Sequence, residues 1–335
     1  MEVRPVDQRV YTEELRPWLP STVIDAHVHI GLAEHIGPIS EERKKENWAY
    51  EVGLDQSWED LWRYLRALFP DLEVRVLAFG IPLREVDLER NNEYVLDGAS
   101  RFSQYAKALY VSRPDYPASM LESAFSRGFL GVKPYPDLVL SGKEEPGVYD
   151  VVPRHHLELV NRRAGIVMLH LPKKGRIADP DNIRDLIDLS HTYPSAKIIV
   201  AHVGRSFCLP TAQSALPALV GLPNVWYDIA AVMNPDVIEY AIRTLGLDRV
   251  LYGSDLPITL IRGYREHIGE IYINYTDGDY SWNTNRKPPD VEANYTYYLY
   301  EELKALIAAA RRIGNARAVL RKVMFDNAAE LLGWK

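Results

Sequence analysis

The chain has 335 residues, of which 47% are hydrophobic and 25% charged, a composition that excludes a disordered or fibrous protein and predicts a sizeable core. Its net charge of −7 argues against a nucleic-acid partner or an anionic membrane partner. The only cysteine, Cys208, excludes an internal disulfide, and no 18-residue apolar run or signal sequence is present, so we expect a cytoplasmic protein.

The first predicted strand carries the most informative motif. An apolar run at 22–24 continues into Asp25-Ala26-His27-Val28-His29. Side chains two apart on a strand share a face, so His27 and His29 can reach one divalent ion. The motif therefore indicates a metal site, although His-x-His also occurs on ordinary half-exposed strands.

Seven more short aliphatic runs predict further strands. They span 73–80, 107–112, 131–134, 167–170, 198–202, 224–229 and 250–255. Several end in a polar side chain, namely Lys133, His170, His202 and Asp255. Short aliphatic runs are typical of parallel strands that are covered on both faces. In α/β proteins the active-site residues lie at the carboxyl ends of such strands.

Helical patterns fill the intervals between these strands. They cover 58–68, 92–106, 118–127, 155–163, 180–191, 211–219 and 235–245. No Gly-x-Gly-x-x-Gly follows the first strand, so the alternation favours a (β/α)8 TIM barrel over an open doubly wound sheet. We expect a single domain over 1–335, with an N-terminal extension, a barrel core at about 22–258 and C-terminal helices at about 298–334.

Two long loops follow strands 1 and 8, on the face where a barrel keeps its active site. The first covers 32–57. The second, 259–296, contains the aromatic residues Tyr264, Tyr272, Tyr275, Tyr280, Trp282 and Tyr295. Such a composition predicts a lid or pocket wall, with a contact between copies of the chain in a homo-oligomer as the alternative.

The motifs together resemble those of the amidohydrolase superfamily, and within it the amidohydrolase-related group. The resemblance extends from Ile24-Asp25-Ala26-His27-Val28-His29, through Leu251-Tyr252-Gly253-Ser254-Asp255-Leu256-Pro257, to a closing Asn327-Ala328-x-x-Leu331-Leu332-Gly333. It therefore covers nearly the whole chain.

This resemblance implies a metal site and a catalytic pair. His27, His29, His170 and Asp255 would hold one divalent ion, with zinc favoured and manganese, iron or cobalt as alternatives. His202 would polarise a substrate oxygen or relay a proton, and Asp255 would double as the base. Asp25, on the strand face of the two histidines, is expected to orient a ligand imidazole.

Two cationic residues have alternative interpretations. In binuclear members of the superfamily the strand-4 lysine is carboxylated and bridges two metals, whereas in mononuclear members Lys133 would bind an anion or make a structural hydrogen bond. Arg205 lies three residues beyond His202, in a His-x-Gly-Arg stretch that resembles the lactonase branch. It is a candidate for binding a substrate carboxylate, with a loop ion pair as the alternative.

The remaining histidines carry weaker predictions. His35 follows the first strand and has a path to the pocket. His155, His156, His191 and His267 are expected at the surface, and Cys208 is expected to pack in the core.

Three functions follow from this interpretation. The first is a metal-dependent hydrolase that cleaves an amide or lactone by attack of metal-activated water on a small substrate bearing a carboxylate. The second is a non-oxidative decarboxylase with the same ligands. The third is a non-catalytic binding barrel, against which the intact set of His27, His29, His170, His202 and Asp255 argues.

Overall fold

The computed structural model describes residues 1–47, 49–140, 142–143 and 145–334, so residue 48 of the predicted loop 32–57 and residue 335 of the predicted domain lie outside the described residues. Eight parallel strands pair in chain order within this part of the molecule. They are β1 Thr22–His29, β2 Glu73–Phe79, β3 Ala106–Ser112, β4 Gly131–Pro134, β5 Ile166–Leu169, β6 Lys197–Val200, β7 Val225–Asp228 and β8 Val250–Leu251.

Hydrogen bonds between the first and last strands close the sheet. The amide of Ala26 donates to the carbonyl of Tyr252 at 3.0 Å, and the amide of Asp255 donates to the carbonyl of His27 at 2.9 Å. Val28 and Leu256 form a parallel bridge at the same seam. The predicted (β/α)8 barrel is confirmed.

Helices connect the strands and extend beyond both ends of the barrel. The α-helices span Pro5–Arg9, Glu41–Glu46, Ala49–Val52, Trp58–Leu68, Leu88–Arg101, Ala118–Arg127, Val148–Val151, Arg154–Arg162, Pro180–Thr192, Leu209–Ala215, Pro235–Leu245, Pro289–Glu292, Tyr298–Ile313, Ala316–Arg321 and Asn327–Leu332. Short π or 3-10 turns occupy Val10–Leu15, Ala33–His35, Pro136–Leu138, Arg176–Ala178, Leu216–Leu219, Leu247–Arg249, Ile258–Leu260 and Lys322–Asp326. None of the described helices combines the length and apolar character needed to cross a bilayer.

Two helix predictions need correction. The helix expected at 92–106 spans Leu88–Arg101, because the side chain of Asp87 accepts a hydrogen bond from the amide of Arg90 and caps the helix start. The helix expected at 211–219 ends at Ala215 and continues only as a 3-10 turn, since Pro217 has no amide hydrogen to donate.

The amino-terminal end of the barrel is covered by the last helix, Asn327–Leu332. Lys107 Nζ on β3 donates to the carbonyl of Leu332 at 2.6 Å, and Lys197 Nζ on β6 donates to the carbonyl of Leu331 at 2.8 Å. Two ammonium groups thus satisfy carbonyls at the carboxyl end of a helix, where cations are favoured.

The predicted loop after strand 8 contains a hairpin that the sequence interpretation missed. Its strands, β9 Gly263–Ile268 and β10 Ile271–Thr276, pair antiparallel. The N-terminal segment anchors its base, because Arg262 donates to both carboxylate oxygens of Asp7 at 2.9 and 2.6 Å. This buried bidentate pair fixes where the hairpin leaves the barrel.

Candidate functional site

The carboxyl ends of the strands bring the predicted histidines and Asp255 into one cluster. The ring centroids of His27 and His29 lie 5.5 Å apart, those of His27 and His202 lie 4.8 Å apart, and those of His170 and His202 lie 5.3 Å apart. All these rings are buried or nearly so. Residues separated by up to 228 positions in the sequence therefore share one site.

Asp228, at the end of β7, sets the orientation of His27. Its Oδ2 lies 3.0 Å from His27 Nδ1, while its Oδ1 accepts the amides of His202 at 2.8 Å and Ala230 at 3.2 Å. Burial acts to raise the pKa of Asp228, but the contacts with His27 and His202 hold that pKa below its ordinary value. The ionised carboxylate can only accept, so Nδ1 of His27 carries the hydrogen and Nε2 is left with a lone pair.

Backbone carbonyls impose the same tautomer on two more rings. His202 Nδ1 donates to the carbonyl of Ala230 at 2.7 Å, and His29 Nδ1 lies 3.4 Å from the carbonyl of Gly80. Burial lowers the pKa of His202 to about 4, so this ring is neutral at neutral pH. The Nε2 atom of each ring is then available as an electron-pair donor.

The carboxylate of Asp255 lies beside the Nε2 atoms of these histidine rings. Its Oδ1 lies 3.2 Å from His29 Nε2 and 3.5 Å from His27 Nε2. Burial acts to raise the pKa of Asp255, but the contact with His29 and the nearby His202 and His27 hold that pKa well below its usual range. Lone-pair atoms this close together need a cation between them. These imidazole nitrogens and the carboxylate oxygen therefore fit a divalent metal ion.

One close group of candidate ligand atoms among the described residues differs from the predicted set. One atom each from His27, His202 and Asp255 lie within 4.8 Å of one another. His29 adjoins this group through its 3.2 Å contact with Asp255. His170 Nδ1 is buried and has no hydrogen-bond partner in the described part of the chain, and the ring packs at a tilt against Tyr135 with ring centroids 4.7 Å apart.

Left-handed backbone turns deliver several of these side chains. His202, Val203, Gly204 and Arg205 have φ values of 57°, 48°, 64° and 65°, and Asp255 has a φ of 61°. Only Gly204 adopts such an angle without cost, and a Cβ at that position would lie 2.5 Å from Ile177. Strain of this kind in residues that enter a cavity is typical of functional sites.

Asp25 binds backbone amides instead of an imidazole. Its Oδ1 accepts the amides of His27 at 3.1 Å and Ser254 at 2.8 Å. Burial raises the pKa of Asp25 to about 7. The carboxyl group therefore ties β1 to the segment that carries Asp255, while Asp228, which the sequence interpretation overlooked, contacts the His27 ring.

Lys133 is fully buried and is not among the residues that line the cavity above the histidine cluster. Its Nζ has no hydrogen-bond partner among the described residues and lies 4.8 Å from the centre of the Phe79 ring. Burial lowers the pKa of Lys133 to about 8. The ammonium group faces an aromatic ring, and the nearby carboxylates of Asp228 and Asp255 favour its charged form.

A cavity of about 620 Å³ opens above the cluster. Its described lining includes eight Lys or Arg side chains and four Asp or Glu side chains, in contrast to the acidic chain as a whole. Arg205 is one of the cations, and its Nη1 lies 3.4 Å from the carbonyl of Leu171. Burial, and then the neighbouring Arg176, lower the pKa of Arg205. No described acid pairs with Arg205, so the predicted loop ion pair is absent from the part of the chain that the structure describes.

The other predicted residues have mixed outcomes. His35 packs on Tyr94 with ring centroids 5.5 Å apart, away from the cavity lining. His156 was expected at the surface but is buried against the carbonyl of Tyr116 at 2.7 Å. Of the six aromatic residues in the second loop, Tyr272 lines the cavity.

Several solved structures share this fold at low sequence identity. A protein from Acinetobacter baumannii described as a probable 2-pyrone-4,6-dicarboxylic acid hydrolase, with citric acid bound, is 16% identical with a TM-score of 0.59, covering 93% of this chain and 99% of that one. The 5-carboxyvanillate decarboxylase of Novosphingobium aromaticivorans, complexed with manganese and 4-hydroxy-3-methoxy-5-nitrobenzoic acid, is 13% identical with a TM-score of 0.59, covering 93% and 96%. The 2,6-dihydroxybenzoate decarboxylase from Rhizobium is 16% identical with a TM-score of 0.52, covering 94% and 99%.

Sequence comparison gives the family directly. The search of curated proteins returned no match. The sequence model of the Amidohydrolase family, in contrast, matches residues 24–334, which include every ligand candidate and the closing helices. The chain belongs to the Amidohydrolase family of enzymes.

Proposed function

We propose that this enzyme hydrolyses a lactone or amide bond in a small, carboxylate-bearing molecule, with one divalent metal ion held by His27, His29, His170 and Asp255. The observation that carries the proposal is the shared tautomer of His27, His29 and His202, whose Nδ1 atoms face acceptors and whose Nε2 atoms are free for a cation or a proton. When bound, the ion would supply Lewis acidity toward water and a substrate carbonyl. Zinc suits these ligands, as do manganese, iron and cobalt.

The residues of the chain divide the proton chemistry between them. Asp255 is ionised and accepts the proton of the attacking water. His202 is neutral, with Nδ1–H bound to Ala230, so its Nε2 can only accept a proton or a hydrogen bond until it has been protonated. Asp255 and His202 are both unprotonated, so they suit activation of water better than direct protonation of a carbon atom.

Arg205 completes the proposed site by binding the substrate carboxylate. Its guanidinium group lines the cavity and lacks an acidic partner among the described residues. The citric acid and nitrobenzoic acid in the compared structures both carry carboxylates, which agrees with such a substrate. The free thiol of Cys208, buried in the core, is consistent with our expectation of a reducing, cytoplasmic location.

Non-oxidative decarboxylation is the second candidate. The excess of cationic side chains around the proposed metal ligands favours this reaction. These cations would bind a substrate carboxylate, and a carboxylate is the group that decarboxylation removes. Asp255 or His202 would then return a proton to carbon as carbon dioxide leaves. The two reactions differ in stoichiometry, since hydrolysis of a lactone releases one acid per turnover and consumes water, whereas decarboxylation releases carbon dioxide.

Paired assays on the metal-loaded enzyme test the proposal. A panel of lactones, amides and aromatic carboxylates is followed by acid release and by carbon dioxide release, with wild type and Asp255→Asn side by side. We expect acid release that Asp255→Asn reduces at least about a thousandfold while the fold is kept. Carbon dioxide release alone would replace hydrolysis by the second candidate, and equal turnover by Asp255→Asn would remove Asp255 from the mechanism.

A further inference from the structure

Three arginines in the cavity wall have no acidic partner among the described residues. They are Arg176 after β5, Arg205 after β6 and Arg265 on β9. Other cations of the lining are neutralised, since Arg43 pairs with Glu85 at 2.7 Å and Arg84 pairs with Asp137 at 3.1 Å. Uncompensated guanidinium groups are expensive to gather in a partly buried site, so an anionic ligand is the partner that they lack.

Arg176 and Arg265 both lie next to the same aromatic side chain. Phe207 lies 5.5 Å from the Arg176 guanidinium carbon and 4.9 Å from that of Arg265, measured to the ring centre. The ring is itself fixed between Tyr272 at 5.3 Å and His202 at 6.3 Å. The two guanidinium groups therefore lie around one ring, and that ring neighbours His202.

Each guanidinium keeps donors free for a ligand. Arg265 uses Nη1 for the carbonyl of Ala231 at 2.6 Å and Nε for Asn274 Oδ1 at 2.8 Å, which fixes the plane of the group and leaves Nη2 without a described partner. Arg176 makes one long contact, Nη1 to the carbonyl of Arg205 at 3.5 Å. The fixed, planar donors of Arg265 and the unpaired donors of Arg176, both beside a flat ring, are suited to a carboxylate.

We propose that Arg176 and Arg265 form a second carboxylate subsite beside Phe207, so that the preferred substrate is a dicarboxylate or tricarboxylate. One carboxylate or carbonyl group lies at the catalytic centre near Arg205, and the second is held by the Arg176 and Arg265 pair. The inference rests on the proposed function for the placement of the reacting group. The subsite itself is a matter of binding and can be tested without turnover.

The test uses unreactive acid pairs on the metal-loaded enzyme. Calorimetric titration compares benzene-1,3-dicarboxylate with benzoate, and glutarate with butyrate, for wild type, Arg176→Gln and Arg265→Gln. We expect at least one dicarboxylate to bind wild type about tenfold or more tightly than its monocarboxylate partner, and both variants to lose that advantage. Arg84→Gln is the matched control, because the charge it removes is already paired with Asp137, and it should change both affinities less than twofold.

Each outcome decides the inference. Equal affinity of wild type for both members of every pair would overturn it, as would variants that weaken the monocarboxylate and the dicarboxylate by the same factor. Arg265→Gln also breaks the contacts with Ala231 at 2.6 Å and Asn274 at 2.8 Å, whereas Arg176→Gln breaks only the long 3.5 Å contact with the carbonyl of Arg205. Arg176→Gln is therefore the decisive variant if Arg265→Gln melts at a lower temperature. Dicarboxylate selectivity that depends on Arg176, in an enzyme without the proposed hydrolysis, would keep the subsite and reject only the reaction.

Discussion

Oδ2 of Asp228 lies 3.0 Å from Nδ1 of His27, while the other oxygen of the same carboxylate accepts the backbone amides of His202 and Ala230. One buried side chain at the end of β7 thus orients the proposed metal ligand His27 on β1 and contacts the backbone of His202, the proposed catalytic histidine after β6. Partners of this kind behind a metal ligand control its affinity for the ion.

Asp228→Asn should weaken metal binding about tenfold to a hundredfold. An amide offers a single oxygen, so its NH2 group must face either the Nδ1–H of His27 or the two backbone amides, and in both orientations two donors meet. The measurement is a competition titration with a chelator. The control is Asp179→Asn, which changes a helix cap away from the cluster. If Asp228→Asn bound the metal as tightly as wild type, the tautomer assigned to His27 would be refuted.

His202→Gln should retain about one metal ion per chain and lose roughly a hundredfold or more in kcat. We expect this because the resemblance assigns the metal to His27, His29, His170 and Asp255, and the proton to His202. Elemental analysis and turnover are measured on the same preparation. Loss of the ion in this variant would make His202 a ligand, as its place within the 4.8 Å group also allows.

The buried, neutral state of His202 should appear in the pH dependence of stability. Its pKa is about 4 in the folded protein and near 6.5 when unfolded, so the unfolded chain binds the extra proton between these values. The stabilisation is fully present above pH 6.5 and is lost as pH falls toward 4, at about 1.4 kcal/mol per pH unit.

A difference measurement isolates this contribution, because Asp25 and Glu302 have raised pKa values through burial and act in the opposite direction. Urea unfolding of the metal-free protein is compared between wild type and His202→Gln from pH 7 to pH 4.5. Wild type should lose stability relative to the variant as the pH falls. Parallel curves would mean that folding leaves the pKa of His202 unchanged.

Lys133→Met tests the two interpretations of Lys133. Burial has lowered the pKa of an ammonium group that lacks a hydrogen-bond partner in the described residues, so an apolar side chain of similar length should raise the free energy of unfolding by about 1–3 kcal/mol. The metal content should stay near one ion per chain. A fall from two ions to one or none would instead identify Lys133 as a carboxylated bridge.

Strand ends and helix signals explain how much could be predicted from sequence. The helix bounds 118–127 and 235–245 agree with the structure, because Gly128 and Gly246 follow the last helical residues and Asn234 caps the second helix. The clustering of His27, His202 and Asp255 follows from the geometry of parallel strands, which puts all carboxyl ends on one face.

The missed features depend largely on contacts between residues that lie far apart in the sequence. Asp228 ends β7 in the same way that His170 follows β5, so its position was a usable signal, but its partner lies 201 residues away. Arg176 and Arg265 become a pair only through Phe207. The hairpin had a local signal in the alternation around Gly269, which the many polar and aromatic residues of the segment obscured.

Metal content per chain tests the central claim most directly. The protein is expressed with several divalent ions in the medium, purified without chelator, and measured by elemental mass spectrometry together with His27→Ala and Asp255→Asn. The account predicts about one ion per chain in wild type and a clear loss in both variants. Wild type that stays free of metal after reconstitution, or variants that hold as much metal as wild type, would contradict it.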